Sequence, residues 1–170
     1  MVHRISLLVA LVVGAACTTT TAVPSTAPGA PAAATASRTL PTTQVITLDQ
    51  RTTDLAAAVR GRPALVSLWA TWCEACTTEL DALNRLDARA KERGALVVGI
   101  AIGEPRERVA EFVATRGLNY AQLVDEEFHF ADALGERRVP TTLVVDRTGR
   151  VVYVGGALDE AALAAFRSAL

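Results

Sequence analysis

The sequence predicts an α/β domain, a central mixed β-sheet flanked by helices, set behind a leader and a spacer. Three observations carry that expectation. Two continuous apolar runs of strand length, Ala64 to Trp69 and Leu96 to Ile102, are separated by one long helical stretch, the pattern of a βαβ unit with buried strands. Further on, two strand-like segments flank Arg147, Thr148 and Gly149, a hairpin by its turn chemistry. A last helical segment then starts at Asp159, and a βαβ core followed by a hairpin and a helix is an α/β pattern.

In chain order, residues 1–16 read as a signal peptide. His3 and Arg4 make a basic start, Ile5 to Val13 an apolar run, and Gly14, Ala15 and Ala16 the small residues before Cys17. The run is shorter than the about 20 residues a spanning helix needs. Residues 17–43 read as a disordered linker of Thr, Ala, Pro and Ser, because such a segment cannot bury enough surface to offset its ordering entropy. The folded domain is expected at residues 44–170.

Within it, Val45 to Leu48 predicts an edge strand, Thr53 to Val59 a short helix, and Arg60 to Pro63 a turn. Ala64 to Trp69 is a buried central strand. A helix follows from about Cys73 to Arg93, stopping at Gly94. Leu96 to Ile102 is a second buried strand and Arg106 to Arg116 a second long helix, ending at Gly117. Ala121 to Val124 predicts a short strand and Phe128 to Leu134 a short helix. Thr142 to Asp146 and Arg150 to Val154 are the strands of the hairpin.

With 170 residues, 51% hydrophobic and 21% charged, the chain suits one domain with a sizeable core. A net charge of −1 and a single lysine, Lys91, argue against a nucleic-acid partner. Cys73 and Cys76 are too close in sequence to staple distant parts of a fold, so chemistry is the better reason for them.

That chemistry centres on Ala70, Thr71, Trp72, Cys73, Glu74, Ala75 and Cys76, between a buried strand and a helix. The placement puts Cys73 at a helix N-terminus, where unpaired N–H groups and the dipole favour a thiolate. Cys76, one turn on, can resolve a mixed disulfide formed at Cys73. A zinc half-site and an inert pair are the competing readings. Zinc needs further ligands, and His129 is the only histidine outside the leader. Along the helix, Cys76, Leu80, Leu83, Leu86 and Ala90 share a stripe, with Glu79 and Asp87 inside its arc. A carboxyl at Glu79 lies either near the thiols or at the stripe's margin.

Leu68 to Cys76, Val139 to Asp146, and Thr148, Gly149 and Arg150 resemble the thioredoxin-like proteins of the TlpA/ResA type. The resemblance runs from Val45 to the C-terminus and implies a thioredoxin-like fold and thiol:disulfide exchange through Cys73 and Cys76. It implies a cis Pro140 beside the cysteine pair, substrate docking by Trp72, Val139 and Pro140, and a Glu79 that tunes thiol protonation. Cys17 after small residues resembles a lipobox, with Gly14 where Leu is usual, implying a lipid anchor on the outer face of a bacterial membrane. Glu74 matches a subset known as reductases for apocytochrome c and other exported targets, whereas Ala75 departs from the family's proline, so the redox potential does not carry over. The implied partners are exported protein disulfides and a membrane thiol donor, with no cofactor and a monomeric protein. A dithiol oxidant and a chaperone for a soft metal such as copper are the alternatives.

Overall fold

The computed structural model describes residues 38–170; the leader and Cys17 lie outside the described residues. Eight strands form one sheet: β1 (Arg38–Thr39), β2 (Gln44–Thr47), β3 (Thr52–Asp54), β4 (Ala64–Trp69), β5 (Leu96–Ile102), β6 (Ala121–Asp125), β7 (Thr141–Val145) and β8 (Arg150–Gly155). Across the sheet the order is β1, β8, β7, β4, β5, β6, β2, β3. The helices are α1 (Leu55–Val59), α2 (Glu74–Glu92), α3 (Arg106–Arg116), α4 (His129–Leu134) and α5 (Glu160–Ala169). Strands β4, β5 and β6 run parallel, and the rest of the ladder is antiparallel.

Central position explains the unbroken apolar runs. β4 pairs with β5 on one side and β7 on the other, and all six of its residues are buried, as are all seven of β5. A strand covered on both faces has no reason to alternate polar and apolar residues. One face packs under α2, α3 and α5 through Leu80, Leu83, Val109, Val113, Ala162 and Phe166. The other packs against α1 and α4 through Leu55, Val59, Phe130 and Leu134. Each fully buried leucine contributes about 1.5–3 kcal/mol.

Three expectations need correction. Order begins before residue 44: β1 pairs Arg38 with Val151 and Thr39 with Arg150, and Leu40 is buried. Backbone pairing needs no apolar run, so composition placed the linker's end too late. The strand expected at an edge is interior, because β2 lies between β6 and β3. The first helix starts at Leu55, with Asp54 as its cap accepting from the Ala57 N–H at 2.7 Å, while Thr52 and Thr53 belong to β3.

The face beneath α2 carries a polar row. Gln122, Gly99, Ser67, Thr142 and Gly155 are successive cross-strand partners over five strands. The Trp69 indole N–H donates to Gln122 Oε1 at 3.1 Å, and this bond passes over Gly99. A Cβ at Gly99 would lie 2.2 Å from Gln122 Oε1 and 2.9 Å from Trp69 Nε1. Gly99→Ala is therefore expected to cost about 1–3 kcal/mol as an overpacking change, read as a lowered urea midpoint with an unchanged slope. A midpoint equal to wild type would show that the row does not need this space.

Candidate active site

β4 hands over to α2 through a turn. The Cys73 N–H donates to the Ala70 carbonyl at 3.1 Å, leaving Thr71 and Trp72 as the central residues. Trp72 projects outward and is 65% exposed, the one large hydrophobic side chain so exposed among the described residues. Cys73 is the N-cap of α2, and its Sγ accepts from the Cys76 N–H at 3.1 Å. The two cysteines form a disulfide with Cα atoms 5.2 Å apart.

Their exposures differ in the way exchange chemistry requires. Cys73 keeps 7% of its surface open and Cys76 none. Cys76 belongs to the core stripe with Leu80 and Leu83, so an incoming sulfur meets Cys73 first. The N–H that caps Cys73 and the positive end of α2 would favour a thiolate there once the disulfide opens.

Pro140 follows Val139 through a cis peptide bond. Thr141 pairs with Leu68, so Pro140 stands at the end of the β4–β7 ladder, where β4 passes into the redox turn. Val139 packs against both core clusters.

Glu79 is half-buried one turn beyond Cys76. Its Oε2 accepts the Leu158 N–H at 2.7 Å, while Oε1 is buried without a partner. Burial pushes its carboxyl above the ordinary 4.5, and the Leu158 bond pulls partly back. Asp87 lies deeper but pairs with Lys91 Nζ at 2.5 Å, which gives it a structural partner of its own. Burial foremost, with smaller contributions from the Glu79 and Asp87 charges, pushes the Tyr120 hydroxyl up to about 12. Among the described residues no group of three or more His, Cys, Asp or Glu is gathered as a metal would need.

The Redoxin family model matches residues 33–163 of this chain. The chain belongs to the Redoxin family. It is similar to the thiol-disulfide oxidoreductase ResA of Geobacillus thermodenitrificans, 29% identical over 92 residues that cover 54% of this chain and 53% of that protein. ResA of Bacillus subtilis is 28% identical over 96 residues, covering 56% and 54%. The chain thus spans about half the length of the curated relatives it matches. Among solved structures, a thiol:disulfide interchange protein of the thioredoxin family from Chlorobium tepidum superposes with TM-score 0.65 at 25% identity, covering 78% of this chain and 96% of that one. A secreted thiol-disulfide isomerase from Corynebacterium glutamicum gives 0.60 at 27% identity, covering 68% and 74%. The fold is thioredoxin-like.

One residue of this Redoxin site escaped the sequence. Glu104, on the loop between β5 and α3, is buried and accepts the Thr71 N–H on Oε1 at 2.6 Å and the Thr71 hydroxyl on Oε2. No motif announces it, because the contact joins residues 33 apart.

The raised Glu79 carboxyl has a stability consequence. The native state holds its proton more tightly than the unfolded chain, so that contribution is present below 4.5 and is lost as pH rises through the native value. Glu79→Gln is expected to gain stability relative to wild type on going from below pH 4.5 to neutrality, measured by urea unfolding across that range. A difference independent of pH would show that the carboxyl titrates as it does in the unfolded chain.

Proposed function

We propose that this Redoxin-family protein is an exported, membrane-tethered thiol:disulfide oxidoreductase that reduces disulfides of exported proteins. The observation that carries the reading is the sulfur arrangement: Cys73 at the rim of a capped helix N-terminus, Cys76 fully buried one turn behind it. The names of the ResA relatives and of the interchange protein point the same way.

In the dithiol form, the Cys73 thiolate attacks one sulfur of a substrate disulfide. A mixed disulfide forms, and the other substrate sulfur leaves as a thiolate that takes a proton. Cys76, deprotonated, then attacks Cys73 Sγ, and the first substrate sulfur leaves and is protonated. Two electrons and two protons pass to the substrate, and the Cys73–Cys76 disulfide remains. A membrane dithiol donor returns the pair to the reduced form. In this reading Trp72, Val139 and Pro140 dock the substrate chain, Glu79 tunes thiol protonation, and apocytochrome c falls within the substrate class. The leader exports the chain and lipid on Cys17 tethers it to the bacterial envelope. A diacylated cysteine suffices for that, since two chains anchor stably where one binds only marginally.

Reduced Cys76→Ser is expected to accumulate a mixed disulfide with a protein substrate, visible by non-reducing mass analysis, whereas Cys73→Ser accumulates none and loses insulin reduction. Turnover retained by both single variants would rule out dithiol exchange, and an equilibrium with glutathione lying far toward the dithiol would reverse the assigned direction to that of an oxidant.

The anchor has its own test. Full-length protein expressed in a bacterial host should partition into the detergent phase, and Cys17→Ser should abolish that partition. An intact mass showing an unmodified Cys17 would remove the lipid from the reading.

A further inference from the structure

We propose that Glu104 is a positioning residue of the redox turn: through Thr71 it fixes Trp72 and Cys73, and its buried charge strengthens the Cys73/Cys76 pair as a reductant. The inference rests on the dithiol exchange proposed above.

The turn itself creates the need. Ala70 and Cys73 are joined by their own hydrogen bond, which leaves the Thr71 N–H, at a central position of the turn, without a backbone acceptor. Glu104 takes that N–H with one carboxylate oxygen and the Thr71 hydroxyl with the other. Backbone and side chain of one residue are thus gripped at once, and the next two residues are the exposed tryptophan and the reacting cysteine.

The grip has a rigid root. Gly103, just before Glu104, has φ +68° and lies against the Phe128 ring, where a Cβ would come within 2.1 Å of the ring's Cζ. The Gly103 N–H donates to the Asp125 carbonyl at 2.9 Å. The Asp125 carboxylate in turn holds the N–H groups of Phe130 and Ala131 at 3.2 and 2.9 Å. On the other side of Glu104, Pro105 is the N-cap of α3. The loop bearing the carboxylate is therefore tied to β6, α4 and α3 before it reaches the turn.

A carboxylate is the side chain for this place because it only accepts. An amide would take only the Thr71 N–H on its oxygen and would have to turn the Thr71 hydroxyl round into an acceptor for its NH₂ group. Charge is the second consequence. At 3% exposure Glu104 has only neutral donors from Thr71, and no Lys, Arg or His among the described residues forms an ion pair with it. Other charged groups on elements around the motif include Glu74 and Glu79 on α2, Arg116 of α3, which donates to the Thr77 carbonyl, Arg138 paired with Glu136 before β7, and Arg106, which is taken up by Glu107 and the Leu48 carbonyl. A buried negative charge held on Thr71, which stands two residues before Cys73, opposes the thiolate. The reduced form rises in energy relative to the disulfide, so the pair gives up its electrons more readily.

The test compares wild type, Glu104→Gln, Thr71→Val and Thr71→Ser by equilibrium with glutathione, alkylation of the reduced protein and insulin reduction. Glu104→Gln should move the equilibrium toward the dithiol by about tenfold, which is about 30 mV for this two-electron couple, and Cys73 should alkylate faster at neutral pH. Thr71→Val should lower kcat/KM several-fold, and Thr71→Ser should restore it. A Glu104→Gln equilibrium equal to wild type, whatever its melting temperature, would leave Glu104 a scaffold residue and overturn the inference. Should Glu104→Gln fail to fold, the threonine pair decides, and equal turnover of Thr71→Val and Thr71→Ser overturns it. A wild type without any measurable thiol–disulfide equilibrium would sink the dithiol reading itself, which separates the two failures.

Discussion

At the junction of β4 and α2 the backbone has little freedom. β4 is paired along both edges and buried on both faces, and α2 is held onto the sheet by the stripe of Cys76, Leu80, Leu83 and Ala90. The turn between them must cover a fixed distance at a fixed angle. The direction of the Cys73 sulfur follows from that, and so does its electrostatics, since the helix that begins there donates its Cys76 N–H to the sulfur. Displacing the turn would break a cap and disturb a core at once.

Three acidic residues approach the same half of the molecule, and their surroundings give them different work. Asp87 is buried and neutralised by Lys91 across one helical turn. Glu104 is buried and fully occupied by two neutral donors on the redox turn. Glu79 has one oxygen bonded to the Leu158 N–H and the other enclosed without a partner. An incompletely satisfied buried oxygen is costly, and of the three only Glu79 carries that cost. Burial therefore raises its carboxyl, with the Leu158 N–H pulling partly back.

Much of this architecture was legible because burial leaves its mark on residue type. The β4 and β5 runs end where the apolar residues end, the N-caps at Cys73 and Asp159 fall where local chemistry put them, and Gly94, expected as the C-cap of α2, is the left-handed residue just past the cap at Arg93. What stayed hidden depends on partners far away in the chain. β1 is two residues whose ordering comes from β8; nothing in Arg38 and Thr39 says that a partner strand waits beyond residue 149. Whether β2 is interior or edge depends on β3, a strand of three polar residues. Glu104 reads as an ordinary loop glutamate until the sheet brings it beside Thr71. Asp87 and Glu79 share one helical arc, and only the packed structure shows which of them finds a cation.

The chain contains two tryptophans, three positions apart, in opposite environments. Trp69 is fully buried, its N–H bonded to Gln122 and its ring centroid 5.5 Å from that of Phe112. Trp72 stands in solvent next to Cys73. A disulfide quenches the emission of an indole beside it, and opening the bond relieves the quenching. Reduction of the pair is therefore expected to brighten the outer indole at long wavelength, while the buried inner one should emit at short wavelength as long as the sheet is intact. That contrast would give an optical gauge of the oxidation state with an internal reference, without any label.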